Sequence, residues 1–349
     1  MSAQLVLPST EEEIWRYSRI DELDLAAFTP TRSRAKVEGW SPAAIAGPGT
    51  EPAVDVFGQL NATHAETVVL RIPAGKYVGD PIEVVWPRPA DGTAVYPRLV
   101  IEAGPGSEVT VVERFASDDV RALVVPVTEI HASDGANVRY VAVNQLGPRA
   151  WQIAHQVARG QRDSMSLLAT VALGGYYARV RTDARLDGKG ATGDQIAAYF
   201  GEGDQMHDFR TLQDHAAPKT TSNLLFKGAV EDHARSVYTG LIRVRKEAPG
   251  TNAFQTNRNL KLSEGAWADS VPNLEIENND VRCSHASAVG PIDVDQRFYL
   301  ESRGVPPEMA DRLIVLGFFD EVLERLPVPH LLPEMRREIA AKLDRKRFA

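Results

Sequence analysis

The 349 residues have the composition of an ordinary globular protein, 43% hydrophobic and 25% charged, and exceed the usual single-core size, so two or more structural units are expected. A formal net charge of −8 argues against nucleic-acid binding, which leaves a basic footprint. The lone cysteine excludes an internal disulfide framework and fits a reducing compartment.

Residues 1–53 read as a separate, partly helical cap. Its first ten residues lack the basic start and apolar core of a signal peptide, and no run of 18 apolar residues exists to span a membrane, so a cytoplasmic location is expected. Ser9-Thr10-Glu11-Glu12-Glu13 has the cap-plus-acid signature of a helix start. Thr29-Pro30 and Ser41-Pro42 break the chain, and 46–52, rich in Gly and Pro, reads as a linker. Trp15, Tyr17 and Trp40 are expected to be packing anchors.

From 54 to 294 the chain turns into short β-rich runs bounded by Gly, Pro, Asp and Asn, with no helical pattern between them. That spacing predicts an all-β core. Ile101-Glu-Ala-Gly-Pro-Gly-Ser-Glu-Val109 is repeated by Ile130-His-Ala-Ser-Asp-Gly-Ala-Asn-Val138 at an offset of 29 residues. A fixed period of this kind marks stacked units that cannot bury an apolar face alone, although a sandwich or barrel stays open on period alone. Two polar clusters interrupt the run. His207-Asp208 and Asp214-His215 match no standard zinc spacing and read as turn residues and cross-strand polar pairs. Gly188-Lys-Gly-Ala-Thr192 lacks the full phosphate-loop spacing and a following helix; it reads as a tight turn.

Near the end of this region stands Arg282-Cys-Ser-His285. Cys283 and His285 alternate with Arg282 and Ser284, so in a strand thiol and imidazole project from one face. Both are metal ligands of soft to borderline character. Two ligands cannot complete a four-coordinate site or hold an Fe–S cluster, so the remainder would come from elsewhere in the chain or from a partner.

Residues 295–349 form a C-terminal helical domain. Asp295 is placed as the N-cap of a helix over 296–303, with Gly304 at its end. Pro306-Pro307 opens a second helix running to about Leu326. Its centre, Leu313-Ile-Val-Leu-Gly-Phe-Phe319, is apolar all round, which requires cover on more than one side. A more polar closing helix over 333–348 is expected to supply part of it. The basic run Arg345-Lys346-Arg347 fits a helix C-terminus.

Several of these segments together resemble the SufB/SufD family of iron–sulfur cluster assembly scaffolds. They are Lys227-Gly228, Tyr238-Thr-Gly240, Gln255-Thr-Asn257, Asn257-Arg-Asn-Leu260, Pro272-Asn-Leu-Glu-Ile276, Arg282-Cys-Ser-His285, Phe298-Tyr-Leu300 and Ser302-Arg-Gly304. Cys-Ser-His, where the SufB branch carries a Glu-His-Glu segment, is similar to the SufD branch; Ala286 departs from its usual glycine. The resemblance implies a right-handed parallel β-helix, pairing with a SufB-like paralogue near Cys283 and His285, and docking of a SufC-like ABC ATPase on the C-terminal helices. It implies a scaffold rather than an enzyme, with His285, and more weakly Cys283, touching a transient cluster or iron shared with the partner and no cofactor stably held by the chain alone. Pairing with a second copy of the chain stays open, and so does the client that receives the cluster. The alternatives are a SufB-type scaffold and a β-helix enzyme acting on polysaccharide, which would need paired carboxylates and aromatic platforms.

Overall fold

The computed structural model describes residues 7–44 and 51–344. Most of the expected linker at 46–52 and the closing basic run lie outside them. The chain from 67 to 290 winds between two parallel sheets, each coil giving one strand to each. In order, the first sheet stacks strands 67–72, 98–103, 127–132, 151–160, 177–186, 206–215, 235–244 and 267–276. The second stacks 82–85, 108–116, 137–145, 165–172, 192–201, 221–230, 251–261 and 281–290. This is the expected parallel β-helix, of eight coils.

The offset of 29 residues is its register. Ile101 pairs with Ile130, and Val109 with Val138. Side chains of one parity point inward and stack on the same parity of the next coil. In the early coils the inward residues are Leu70, Ile101, Ile130, Val109 and Val138, all buried in one apolar cluster. The opposite parity of the second sheet is apolar as well: Val141, Val143, Ala169, Val171 and Phe200 belong to a second cluster, shared with the C-terminal helices. A sheet covered on both faces reads as continuous apolar sequence, as in Tyr140-Val-Ala-Val143.

The N-terminal segment differs from its expected helix. Glu13–Trp15, Ile20–Glu22 and Leu25–Ala27 are single 3-10 turns. The chain stays extended enough to bury Trp15, Ile20, Leu23 and Phe28 one after another on the first sheet, and that packing overrides the local helix signal. The Arg179 guanidinium lies 3.9 Å from the centre of the Trp15 ring and donates to the Ile14 carbonyl at 2.7 Å. Trp15 is an anchor as expected, Trp40 packs partly buried on the first core, and Tyr17 reaches the Trp267 ring at 6.4 Å.

Helix α1 (Val56–His64) falls where only strands were expected. Asp55 caps it by accepting from the Gly58 N–H at 2.9 Å. Buried Asn61 donates to the Pro97 and Val125 carbonyls. Helix α2 spans Val294–Ser302, and its N-cap is Asp293 rather than Asp295. Helix α3 spans Pro307–Leu323 and α4 spans Leu332–Asp344. Val315, Phe319, Val322 and Leu323 of α3 bury against the second sheet together with Met335 and Ile339 of α4. The second cover expected for the apolar helix is therefore α4. Leu313 on the far side remains 46% exposed.

Candidate functional site

The last coil is the place where the solenoid stops without being closed. Strands Trp267–Ile276 and Val281–Gly290 are the terminal members of their sheets. Each pairs along one edge only among the described residues, leaving a ten-residue row of backbone donors and acceptors. Leu274, Ile276 and Val289 are each more than a third exposed along it. A long, apolar, unprotected edge of this kind is a template for another chain.

Both predicted ligand residues sit on this edge. Cys283 pairs with Ala253, and His285 with Gln255. They share the inward parity of the strand, as the alternation predicted, but their environments differ. Cys283 is half-buried over Ile242, Val244, Ala248 and Ala253, and burial raises its thiol above the ordinary cysteine value. His285 is exposed. No group of three or more His, Cys, Asp or Glu able to hold a metal occurs among the described residues. The donor set fits a soft metal in kind and falls short of it in number.

Under the edge strand lies a polar floor. Asn257 Nδ2 donates to the Tyr199 hydroxyl at 3.2 Å, which donates to Asn259 Oδ1 at 2.7 Å. Asn259 Nδ2 closes the loop on Asn257 Oδ1 at 2.9 Å. Gln255, directly beneath His285, is outside this network. It is 1% exposed, and neither amide atom has a hydrogen-bond partner among the described residues. The amide fills the hollow over Gly240, where a Cβ would stand 2.3 Å from Nε2 and 2.2 Å from the Tyr238 hydroxyl. Composition alone did not single out Gln255; its one sequence signal was the Gln255-Thr-Asn257 segment.

Of the other two polar clusters, one departs in part from the sequence expectation and one matches it. His207, Asp208, Asp214 and His215 are all strand residues, not turn residues. The cross-strand pairing part of that reading holds. Asp208 accepts from the Tyr177 hydroxyl at 2.7 Å and from Arg179, and Asp214 Oδ1 accepts from Arg245 at 2.9 Å. His215 bonds Thr220 and Ser222, each at 2.8 Å. The histidines and aspartates face opposite sides of the strand, and its two ends lie about 25–30 Å apart, so the pairs cannot converge. Gly188-Lys-Gly-Ala-Thr192 is the corner between strands 177–186 and 192–201, with Gly190 at φ +75°.

Comparison with known proteins bears on this edge. Residues 87–318 match the family described as SUF system FeS cluster assembly, SufBD core domain. An iron-sulfur cluster assembly SufBD family protein of Mycobacterium tuberculosis is 31% identical over 359 aligned positions, spanning 97% of this chain and 89% of that protein. The chain belongs to the SufBD family. SufD of Bacillus subtilis is 31% identical across 82% of this chain and 67% of its own length. SufD of Escherichia coli is 31% identical across 72% and 59%.

Within the SufBD core the matched span runs from the early coils through the open edge into α3. Here a second surface stands out. No residue of α2 is buried, and Val294, Phe298 and Tyr299 are 72%, 71% and 58% exposed. Behind it, Lys227 on strand 221–230 is only 2% exposed. Its ammonium donates to the Phe318 carbonyl at 3.0 Å and to Glu321, and lies over the Phe318 ring at 4.4 Å. A buried lysine thus ties α3 to the sheet. No helix among the described residues is long and apolar enough to cross a membrane.

Proposed function

We propose that this SufBD protein is a SufD-like, non-catalytic scaffold. It pairs with a SufB-like paralogue through the open last coil and docks a SufC-like ABC ATPase on α2 and α3. Its chemical contribution is His285, with Cys283 beside it, as part of a ligand set for a nascent cluster or iron that the partner completes. The cluster is cargo in this reading, assembled in the cytoplasm and passed on.

The observation that carries the reading is the coincidence of three features at one place. Two unpaired strand edges, exposed apolar side chains and the incomplete Cys283/His285 donor pair all lie on the last coil. A partner strand would satisfy the first, cover the second and complete the third. The exposed aromatics of α2 are a separate surface, of the composition that marks partner contact. The raised thiol suits a cysteine that is not a resting nucleophile.

The test is anaerobic co-purification from a cytoplasmic extract, reading partner identity and bound iron. Phe298→Glu should remove the ATPase and leave the paralogue bound, because the substituted side chain is exposed and lies on α2, not on either edge strand. Capture of the ATPase at wild-type level by this variant contradicts the docking assignment.

A further inference from the structure

We infer that Gln255 is the positioning residue for His285. Its carboxamide accepts the N–H of one imidazole nitrogen and leaves the other turned to the open end of the solenoid, available to a soft divalent metal.

Gln255 and His285 are register partners on adjacent parallel strands. Such neighbours stand about 4.8 Å apart and project side chains in the same direction. Gln255 belongs to the last complete coil and His285 to the open one, so the amide forms the floor beneath the ring. Among the described residues it is the only side chain with two buried polar atoms that both lack a partner. Gln195 and Gln213, deeper in the stack, are each held through Nε2: Gln195 donates to the Thr182 and Leu212 carbonyls at 3.3 and 3.2 Å, and Gln213 to Ser222 Oγ at 2.7 Å. Burying an unpaired amide is costly, and such a group calls for an explanation.

The amide is also held in place. Gly240 provides the hollow it occupies, and any side chain there would strike Nε2 or the Tyr238 hydroxyl. The Tyr238 hydroxyl is already engaged with Thr211 Oγ1 at 2.9 Å. A fixed acceptor below an exposed, rotatable imidazole is the arrangement by which a ligating histidine has its tautomer and ring orientation set. Rotation of the His285 ring, not of the wedged glutamine, closes the contact. This role gives one physical reason for both Tyr238-Thr-Gly240 and Gln255-Thr-Asn257.

The inference rests on His285 being a ligand, yet it is read without partner or iron. The experiment uses the full metal-free chain with ¹⁵N-labelled histidine, assigned with His285→Ala, above the pH at which imidazoles protonate. In the wild type His285 should show one dominant tautomer. Gln255→Leu, which removes both unpaired atoms and should fold at least as well, should return it to the mixture of free imidazole. Gly240→Ala, which evicts the amide, should do the same, whereas Gln255→Glu, which keeps an acceptor, should preserve the wild-type spectrum. A free-imidazole mixture in the wild type, or an unchanged ratio in Gln255→Leu, overturns the assignment. An ordered tautomer together with normal client activation in His285→Ala would instead overturn the ligand reading alone.

Discussion

The early coils and the last coil solve the same problem in opposite ways. In the early coils a buried acid is fully served. Glu113 accepts from Trp86 Nε1 at 2.6 Å, from Thr128 Oγ1 at 2.9 Å and from the Tyr140 hydroxyl. Its strands are paired on both edges and stacked over an apolar interior. At the other end Gln255, directly beneath the last coil, is buried with no hydrogen-bond partner among the described residues, the two strands of the last coil each pair along one edge only among those residues, and Leu274, Ile276 and Val289 are exposed. The first arrangement is complete among the described residues, and the second is not. The proposed assembly chemistry lies at this second end.

Substitutions that separate the two ends sharpen the contrast. Ile130→Ala truncates a fully enclosed side chain and should cost about 2–5 kcal/mol of stability, read by denaturant unfolding, with partner capture per folded molecule unchanged. Lysine at both Ile276 and Val289 should do the reverse. Charges placed along an edge strand block pairing with another chain, and paralogue affinity should fall by about 100-fold, near 2.7 kcal/mol, while the melting temperature barely moves. Equal loss of stability in both variants would show that the last coil is a structural cap.

A closed interior also predicts a pH response. Burial holds His207 at about 3 and His215 at about 4, while unfolding returns each to about 6.5. Between those values the unfolded chain binds more protons than the folded one. Stability should therefore fall as pH drops from about 6.5 to 4, by about 1.4 kcal/mol per pH unit per histidine. His215→Gln, able to keep the Thr220 and Ser222 contacts, should roughly halve that slope. An unchanged slope would mean that His215 is reached by water in the folded state. The smallest effect belongs to Cys283→Ala, which removes one half-buried sulfur and should cost about 1–2 kcal/mol with complex formation intact.

Much of this contrast was legible in the sequence, for identifiable reasons. The repeat at 101–109 and 130–138 was visible because the two coils have equal length and matching inward residues. Later coils hide it: Ala184, Gln213 and Ile242 stack in register though no two are alike. The alternation placing Cys283 and His285 on one face held because a strand has a period of two whatever its surroundings. Helix α1 was not legible, since Gly58 and Asn61 are weak helix formers and Asn61 is retained for strand-end carbonyls distant in sequence. The polar strand 206–215 reads partly as turn because the later solenoid interior admits histidine and glutamine. Gln255 could not be recognised before its register with His285 was known.

The central claim is that the open coil presents His285 to the cargo, and one comparison tests it most directly. In vivo activation of an Fe–S client enzyme is measured with His285→Ala and with Cys283→Ala, alongside a check that each variant still forms the complex. The expected result is a large loss for His285→Ala, a small one for Cys283→Ala, and intact assembly in both. Full client activation by His285→Ala would reduce this edge to interface packing and contradict the account.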